Sequence, residues 1–272
     1  MSLNEITEKI SRVEDFIKKH GRAVIGLSGG VDSTLVTYIA YSALGKDVLA
    51  VVGASATLPK REMEEAIALA KEIGVSYRVI QTEETDDLKF KSNPADRCYY
   101  CKTELFSKLQ DIAQNEGFAC VLDGTNADDL GDYRPGLRAN AEQRVISPLK
   151  EAGFTKNDIR EAAKYLGLPN WNKPAMPCLS SRFPYGQPIE LKSLTKVEKA
   201  EMFLRDMGFR HCRVRHYDKT AKIEVPVEDL EKLIAVENRH RITRRFREIG
   251  YVYVTLDMDG FASGNMNKVL NV

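Results

Sequence analysis

AVIGL (residues 23–27) leads directly into SGGVDS (residues 28–33), and an apolar helical pattern follows over residues 34–44. The run AVIGL is short, apolar and partly β-branched, which is typical of a buried strand. The two adjacent glycines let the backbone turn tightly and bring its N–H groups close to an anion. The start of the following helix adds further N–H donors and a partial positive charge. The stretch therefore predicts a strand, an anion-binding loop and a helix in succession.

Asp32 is the unexpected member of this loop, because a carboxylate repels phosphate unless a cation lies between them. The loop consequently predicts a bound Mg²⁺ beside the phosphate. GxxxxGK[ST] and GxGxxG are both absent, which argues against a P-loop NTPase and a dinucleotide-binding fold. The alternative is a plain strand–helix turn capped by Asp32. The predicted anion site consists of Ser28, Gly29, Gly30, Val31, Asp32 and Ser33.

The first half of the chain alternates between strand-like and helical patterns. Apolar runs at residues 48–53, 75–81 and 118–122 are strand-like, and apolar residues recur at helical spacing over residues 61–73. Such alternation predicts an α/β fold with a parallel sheet wrapped on both faces. Ligands bind beyond the carboxyl ends of the strands in sheets of this kind. The SGGVDS loop is therefore predicted to lie at the ligand-binding edge.

The second half has a different pattern. Half of the chain's 10 prolines fall within residues 169–188, so that segment can be neither a regular helix nor a central strand. A helix, two strand-like runs, a helical region and a last strand-like run follow, at residues 194–207, 212–217, 221–225, 227–249 and 251–256. The predicted domains are an α/β domain (1–168), a proline-rich linker carrying Cys178 (169–188) and a small α+β domain (189–272).

Composition and charge limit the binding partners and the cell compartment that we expect for the protein. The 272 residues carry 40 Lys+Arg against 39 Asp+Glu, a formal net charge of +1. This balance argues against a protein that coats nucleic acid by bulk charge. No apolar run is long enough to span a bilayer, and the N-terminal region reads as an amphipathic helix without a signal-peptide pattern. The sequence therefore predicts a cytoplasmic protein.

The five cysteines divide into two groups. Their odd number and a reducing cytosol argue against a disulfide framework. Cys120 and Cys212 lie in strand-like runs and are predicted to be buried and inert. The segments around Cys98, Cys101 and Cys178 look like loops.

The pattern Cys98-Tyr99-Tyr100-Cys101 has a spacing found in metal and redox sites. Two thiolates do not complete a metal site, and Cys178 is the natural third ligand. Three sulfurs suit a [4Fe–4S] cluster with one open iron, whereas a structural zinc site takes four ligands. A redox pair formed by Cys98 and Cys101, or a zinc site, is the alternative.

SGGVDS after the first strand resembles the pyrophosphate-binding loop of the PP-loop ATP pyrophosphatases, which include GMP synthetases, NAD synthetases and tRNA-thiolating enzymes. The resemblance implies a Rossmann-like (adenine nucleotide alpha hydrolase-like) domain that cleaves ATP between the α- and β-phosphates and adenylates a substrate. DGTN (residues 123–126) is similar to the family's second nucleotide loop, which implies that Gly124 contacts ATP. Arg134, in the acidic turn at residues 128–134, is a further predicted ATP contact, with a solvated turn as the alternative.

Longer motifs resemble the LarE family of ATP-dependent sacrificial sulfur transferases: DYRPGL (132–137), NWNK (170–173), SSRFPYG (180–186), RVR (213–215) and YVTLD (253–257). The resemblance covers nearly the whole chain. It implies that a carboxylate of pyridinium-3,5-biscarboxylic acid mononucleotide is adenylated and converted into a thiocarboxylate, for the nickel-pincer nucleotide cofactor of lactate racemase.

The same resemblance gives Cys178 two possible roles. In the simplest members of the family a single cysteine gives up its sulfur and becomes dehydroalanine, and Cys178 matches that position. For members with three such cysteines the resemblance implies that an open iron carries an extra sulfide as the donor. Cys98 and Cys101 favour the second role here.

Arg213 and Arg215 alternate along a predicted strand, so both side chains point to one face. Guanidinium groups suit the phosphate of a mononucleotide, and Ser181 and Arg182 are predicted to join them there. A solvated strand face is the alternative. The resemblance also places the carboxylate of Glu201 near the chemistry, so the predicted catalytic residues are Cys178, Asp32 and Glu201. A surface position for Glu201 is the alternative.

The leading hypothesis is thus a sulfur transferase that uses ATP, Mg²⁺ and a [4Fe–4S] cluster on a small nucleotide. A tRNA-thiolating enzyme, an AMP-forming synthetase of the GMP or NAD synthetase type, and a non-catalytic nucleotide-binding regulator are the alternatives. No added RNA-binding module is visible in the sequence, which favours a small substrate over nucleic acid. The resemblance further implies a homo-oligomer, such as a hexamer.

Overall fold

The computed structural model describes residues 3–131, 135–262 and 265. The chain divides into two compact units, one of Met1–Glu84 with Asp96–Met176 and one of Thr85–Ala95 with Pro177–Val272. The segment predicted as a linker, residues 169–188, is thus shared between the units. No sequence pattern indicated that residues 85–95 belong with the C-terminal part of the chain.

The described helices and strands follow one another along the chain as the alternating patterns suggest. The helices are α1 (Leu3–His20), α2 (Val31–Leu44), α3 (Lys60–Ile73), α4 (Leu88–Lys91), α5 (Arg97–Glu116), α6 (Gly136–Glu142), α7 (Pro148–Glu151), α8 (Lys156–Tyr165), α9 (Leu191–Asp206), α10 (Leu230–Ile234) and α11 (Val236–Ile249). The strands are β1 (Ala23–Gly26), β2 (Val48–Ala54), β3 (Ser76–Gln81), β4 (Cys120–Leu122), β5 (Arg213–Tyr217), β6 (Thr220–Glu224) and β7 (Tyr253–Leu256).

The first unit is built on a four-stranded sheet in the order β3-β2-β1-β4. All three strand pairs are parallel, with Ala23 opposite both Val48 and Cys120. Parallel strands need crossover connections, and helices supply them here. The predicted α/β fold with a parallel sheet is therefore confirmed.

Side chains of the central strand β1 alternate between two apolar cores. Ala23 and Ile25 pack into one core with buried residues of α1, α2, α3 and α8. Val24 packs into the other core with Phe106 and Leu109 of α5. Successive side chains of a strand point to opposite faces, so the run AVIGL contributes apolar side chains to both cores.

The second unit has a three-stranded sheet in the order β5-β6-β7. Strands β5 and β6 are antiparallel, and β6 and β7 are parallel. Helices α9 and α11 contribute Leu204 and Phe246 to its buried core, where they meet Val214 and Ile223 of the sheet. The predicted small α+β domain is therefore confirmed as a fold class.

Residues 85–95 are attached to the second unit mainly through Asn93. Asn93 is fully buried, and its Nδ2 donates to the carbonyl oxygens of Phe183 at 3.4 Å and Pro184 at 2.7 Å. The N–H of Gly186 donates in return to the Asn93 carbonyl oxygen at 2.9 Å. Asn93 has a φ of 55°, which asparagine tolerates better than most residues.

Three local expectations need correction. Helix α2 begins at Val31, inside the glycine motif, because Gly30 is its N-cap. Cys98 and Cys101 lie in the first turns of α5 and not in a loop. The helical region predicted over residues 227–249 is broken at Ala235, whose backbone is extended with φ −47° and ψ 139°.

No helix in the described part of the chain has both the length and the apolar character needed to cross a membrane.

Candidate active site

The SGGVDS loop connects β1 to α2 and is closed by its own hydroxyl groups. The N–H of Ser28 donates to Ser33 Oγ at 3.2 Å, and Ser33 Oγ donates to the Gly30 carbonyl oxygen at 3.1 Å. Gly29 has a φ of 75°, in the left-handed region that glycine adopts without strain. The loop therefore ends at a helix N-terminus, which is a ready site for an anion.

The loop after β4 touches the SGGVDS loop at Gly124. A Cβ atom on Gly124 would lie 2.7 Å from the backbone nitrogen of Ser33 and 2.9 Å from the carbonyl carbon of Asp32. Only glycine permits this approach. The two loops predicted to bind ATP are thus brought together at the carboxyl ends of adjacent strands.

Asp123 anchors the second loop. Its Oδ1 accepts hydrogen bonds from Ser147 Oγ at 2.7 Å and the Thr125 N–H at 3.2 Å. Its Oδ2 accepts from Thr125 Oγ1 and Asn140 Nδ2, both at 2.5 Å. Four donors occupy this buried carboxylate, so its role is to hold the loop in shape. Asn140 and Ser147 were not identified from the sequence, since they are distant in the chain and carry no motif.

Lys156 is a further site residue that the sequence did not reveal. Its Nζ lies 2.6 Å from Oδ1 and 2.5 Å from Oδ2 of Asp32. Thr155 and Asp158 form a capping box that starts α8 and places Lys156 at its first position. That box, readable as T-x-x-D, was the available signal. A carboxylate has about four lone-pair sites, so Asp32 can take a cation in addition to Lys156.

The acidic turn after the second loop is partly described. Asp129 Oδ2 accepts from the N–H of Asn126 at 3.0 Å, and Asp128 Oδ2 accepts from the N–H of Lys156 at 2.7 Å. These contacts give both carboxylates a part in shaping the turn. Arg134, predicted to contact ATP, lies outside the described residues.

In the second unit, Arg182 and Glu201 form a buried ion pair, with 0% and 1% of their surfaces exposed. Arg182 Nε and Nη2 donate to the two Glu201 oxygens at 2.8 and 3.0 Å. Burial alone would raise the pKa of Glu201, but the charge and hydrogen bonds of Arg182 outweigh it and lower that pKa. The alternative of a surface glutamate is wrong.

Arg182 also fixes the backbone at Cys178. Cys178 immediately precedes a short 3₁₀ turn, Leu179–Arg182, and is half-buried. Its carbonyl oxygen accepts from Ser181 Oγ at 2.8 Å and from Arg182 Nη1 at 3.0 Å. Cys178, the predicted nucleophile or cluster ligand, is thereby connected through Arg182 to Glu201.

Arg213 and Arg215 of β5 are buried, so the alternative of a solvated strand face is wrong. Arg215 donates twice to Glu224, at 3.0 and 2.7 Å, and once to the Ser181 carbonyl oxygen at 2.7 Å. Burial and the neighbouring charge of Arg182 lower the pKa of Arg213 to about 10. Arg213 therefore remains a cation at neutral pH.

The five cysteines differ in their surroundings. Cys98 is exposed and Cys101 half-buried, on a helix where a spacing of three residues places side chains near each other. Cys212 is buried as predicted, whereas Cys120 is only half-buried. Burial raises the pKa of Cys120 to about 11 and that of Cys212 to about 12, so both remain thiols at neutral pH. Within residues 3–131, 135–262 and 265, no group of three or more His, Cys, Asp or Glu side chains is arranged to hold a metal ion.

Comparison with known proteins agrees with this architecture. Residues 5–103 match the NAD synthase family model. Pyridinium-3,5-bisthiocarboxylic acid mononucleotide synthase of Lactiplantibacillus plantarum is 42% identical over 255 residues, covering 93% of this chain and 92% of the relative. This chain belongs to the family of that synthase. The resemblance inferred from the sequence motifs is therefore confirmed.

Other members and more distant relatives extend the comparison. An uncharacterized protein of Synechocystis, slr1717, is 42% identical to this synthase-family chain over 265 residues, covering 97% of the chain and 99% of the relative. A glutamine-hydrolyzing GMP synthase of Pyrobaculum aerophilum is 32% identical over 183 residues, covering 60% of this chain and 36% of the relative. The match to the Synechocystis protein continues through the second unit.

Proposed function

We propose that the protein is an ATP-dependent sulfur transferase. It adenylates a carboxylate of pyridinium-3,5-biscarboxylic acid mononucleotide and releases pyrophosphate. A sulfur nucleophile then attacks the acyl carbon and displaces AMP, so that a thiocarboxylate replaces the carboxylate. The observation that carries this proposal is the 42% identity to the bisthiocarboxylic acid mononucleotide synthase along 93% of the chain. The setting proposed from the sequence is the cytoplasm, and the proposed assembly is a homo-oligomer, which sedimentation velocity would test.

The first unit is proposed to bind ATP. Backbone N–H groups of the SGGVDS loop and the N-terminus of α2 would hold the pyrophosphate part, with Gly124 allowing the second loop to approach. Asp32 is the proposed ligand for Mg²⁺, because carboxylate oxygen is a preferred donor for that ion. A bound Mg²⁺ would neutralise phosphate charge beside the carboxylate.

The second unit is proposed to bind the substrate phosphate. Arg182 and Arg215 supply guanidinium groups beside Ser181, Arg213 is the third proposed phosphate ligand, and Glu201 holds Arg182 in position. Cys178 is in direct contact with this set, since its carbonyl oxygen accepts a hydrogen bond from Arg182. Cys178 is proposed to take part in sulfur transfer to the acyl-adenylate that the first step forms, either as the sulfur donor or as a ligand of the cluster that carries the sulfur.

We also propose that Cys98, Cys101 and Cys178 hold a [4Fe–4S] cluster. The support is the chemistry of the donors: two cysteines lie one helical turn apart on α5, and thiolates are the usual ligands of such clusters. A bound cluster with three protein ligands would leave one iron open to a further sulfur atom.

Iron content is the first prediction. After anaerobic reconstitution with iron and sulfide, the protein should hold about four iron atoms per chain. The double variant Cys98→Ser/Cys101→Ser should lose them, whereas Cys120→Ser should retain them as the matched control. Iron and acid-labile sulfide assays measure this without reference to activity. If the unsubstituted protein holds no iron after reconstitution, the cluster proposal is wrong, and Cys178 becomes the proposed sacrificial sulfur donor.

The second prediction is that one substitution separates adenylation from sulfur transfer. Cys178→Ala should abolish thiocarboxylate formation yet leave pyrophosphate release from ATP and the pyridinium substrate within about twofold of the parent, because its role follows adenylation. Mass spectrometry of the product and a pyrophosphate assay measure the two steps. Pyrophosphate release with tRNA and not with the pyridinium nucleotide would overturn the proposed substrate.

A further inference from the structure

Two polar side chains from the segment after α8 bind the backbone of the SGGVDS loop. The carbonyl oxygen of Gly29 accepts hydrogen bonds from Asn170 Nδ2 at 3.2 Å and from Lys173 Nζ at 3.3 Å. Asn170 also donates to Thr34 Oγ1 at 3.0 Å and is 8% exposed. The proposed chemistry gives neither Asn170 nor Lys173 a role.

The hydrogen bonds of Asn170 and Lys173 to the Gly29 carbonyl oxygen fix the direction of the Gly30 N–H group. A trans peptide is planar, so the carbonyl of Gly29 and the N–H of Gly30 point in opposite directions. The N–H of Gly30 donates to Ser28 Oγ in a long hydrogen bond of 3.4 Å, among the hydroxyl groups of the loop, where a stronger acceptor such as a phosphate oxygen could replace it. Two successive glycines allow many backbone conformations, so contacts from outside the loop are needed to select this one.

Lys173 is itself held rigidly. Its Nζ lies 2.8 Å from Glu62 Oε2 and 2.8 Å from Glu65 Oε2, both on α3. These two carboxylates and the Gly29 carbonyl match the three donors of an ammonium group. Burial would lower the pKa of Lys173, but the two glutamates outweigh it and raise that pKa. The loop is thereby connected to α3 through a charged side chain in a defined position.

Simple attraction between Lys173 and an anion does not explain this arrangement. Glu65 also pairs with Arg61, at 2.9 Å. Two cations and two carboxylates leave the group neutral, so it adds little net attraction for phosphate. An effect of Lys173 on anion binding would therefore come from the orientation that it imposes on the backbone and not from its charge.

We propose that Lys173 and Asn170 are positioning residues that aim the N–H of Gly30 at the pyrophosphate part of ATP. This inference rests on the proposed ATP-dependent function. Neither side chain needs to touch the nucleotide. Their removal should weaken binding of the part of ATP that the loop holds and spare the part that it does not hold.

Calorimetric titration with Mg²⁺-pyrophosphate and, separately, with AMP tests this. The variant Lys173→Met/Glu62→Gln removes the ammonium without leaving a buried unpaired carboxylate at Glu62. We expect it to bind pyrophosphate about tenfold more weakly while its Kd for AMP is unchanged. Asn170→Leu should behave in the same way. Lys71→Met, on the exposed face of α3, is the control expected to match the parent.

The possible results are distinct. Unchanged pyrophosphate binding in both test variants, or an equal loss for pyrophosphate and AMP, overturns the inference, since a general loss of structure would affect both ligands. A parent protein that binds neither ATP nor pyrophosphate overturns the proposed function and this inference with it. Weaker pyrophosphate binding with AMP binding retained supports the positioning role.

Discussion

At the scale of single residues, Arg182 and Glu201 form an ion pair that is fully buried in the second unit. Glu201 accepts from Arg182, from Arg205 and from the N–H of Val214. A carboxylate buried to this degree is stable as an anion only because these donors surround it. Its replacement would leave the Arg182 charge without its partner, which is more costly than the pair itself is favourable.

Glu201→Gln should therefore lower the free energy of unfolding by about 3 kcal/mol at neutral pH. The pKa of Glu201 is below its ordinary 4.5 in the folded state. Its contribution is thus fully present above the ordinary value and is lost as the pH falls through the lower, folded-state value. The difference between parent and variant should stay constant down to a pH of about 5 and shrink under more acidic conditions. Denaturant unfolding at several pH values measures it, with exposed Glu228→Gln as control.

Site residues that are neighbours in the sequence could be predicted, whereas contacts between residues that are distant in the sequence could not. The SGGVDS residues can be proposed from the sequence because they are consecutive residues of one loop. Lys156 meets Asp32 over a separation of 124 residues, and Asn140 meets Asp123 over 17. Such partners are brought together by the sheet and its crossovers. A single sequence carries no pattern that pairs them.

At the scale of elements, the contact between the loop after β4 and the start of α2 limits what the site can tolerate. The Gly124 backbone packs against Asp32 and Ser33 with no room for a side chain. The sheet places these two loops side by side because β1 and β4 are adjacent and parallel. The order of strands therefore determines which loops form the nucleotide site.

Gly124→Ala should displace one loop from the other and cost about 1–3 kcal/mol of stability through overpacking. We expect binding of Mg²⁺-ATP to weaken about tenfold, because the donors at the start of α2 would move away from the phosphates. Thermal unfolding and calorimetry measure the two effects. Gly167→Ala, at a positive φ of 73° but with open space around it, isolates the cost of backbone strain. Unchanged ATP binding in Gly124→Ala would show that the two loops are independent.

The elements themselves could be predicted where apolar periodicity was strong. All four strands of the parallel sheet were recognised from their apolar runs. The sequence does not indicate the start of helix α5, because Cys98-Tyr99-Tyr100-Cys101 has no apolar period and follows Pro94 closely. No glycine or proline marks the break at Ala235, so the pattern indicates one helical region where the structure has two helices, α10 and α11. In both places packing determines the backbone more than local propensity does.

At the scale of the whole molecule, the second unit contains residues from two separate parts of the chain. Phe90 and Asn93 are buried in it, at 2% and 0% exposure, although residues on either side of the segment 85–95 belong to the first unit. The hydrogen bonds of Asn93 to Phe183 and Pro184 span 90 and 91 residues. This long separation explains why the sequence patterns placed no boundary there.

Asn93→Ala should destabilise the second unit by about 1–3 kcal/mol, because two buried carbonyl groups lose their donor. Native-state hydrogen exchange should show faster exchange of the amides of β5 and β6, with those of β1 and β2 unchanged. Asn93→Gly tolerates the positive φ and loses only the side chain, so it separates the hydrogen bonds from backbone strain. Equal acceleration in both sheets would contradict the assignment of residues 85–95 to the second unit.

Residues 85–95 also have a consequence for how the protein is made. Translation proceeds at ~5–20 residues per second, so about 5 to 20 s separate the synthesis of residue 95 from that of residue 189. Asn93 is thus synthesised well before Phe183 and Pro184, to whose carbonyl oxygens it donates, and the apolar Phe90 is synthesised with it. Chaperones that bind exposed apolar segments should therefore meet this short segment during synthesis, and synonymous codons that slow translation after it would lengthen the encounter.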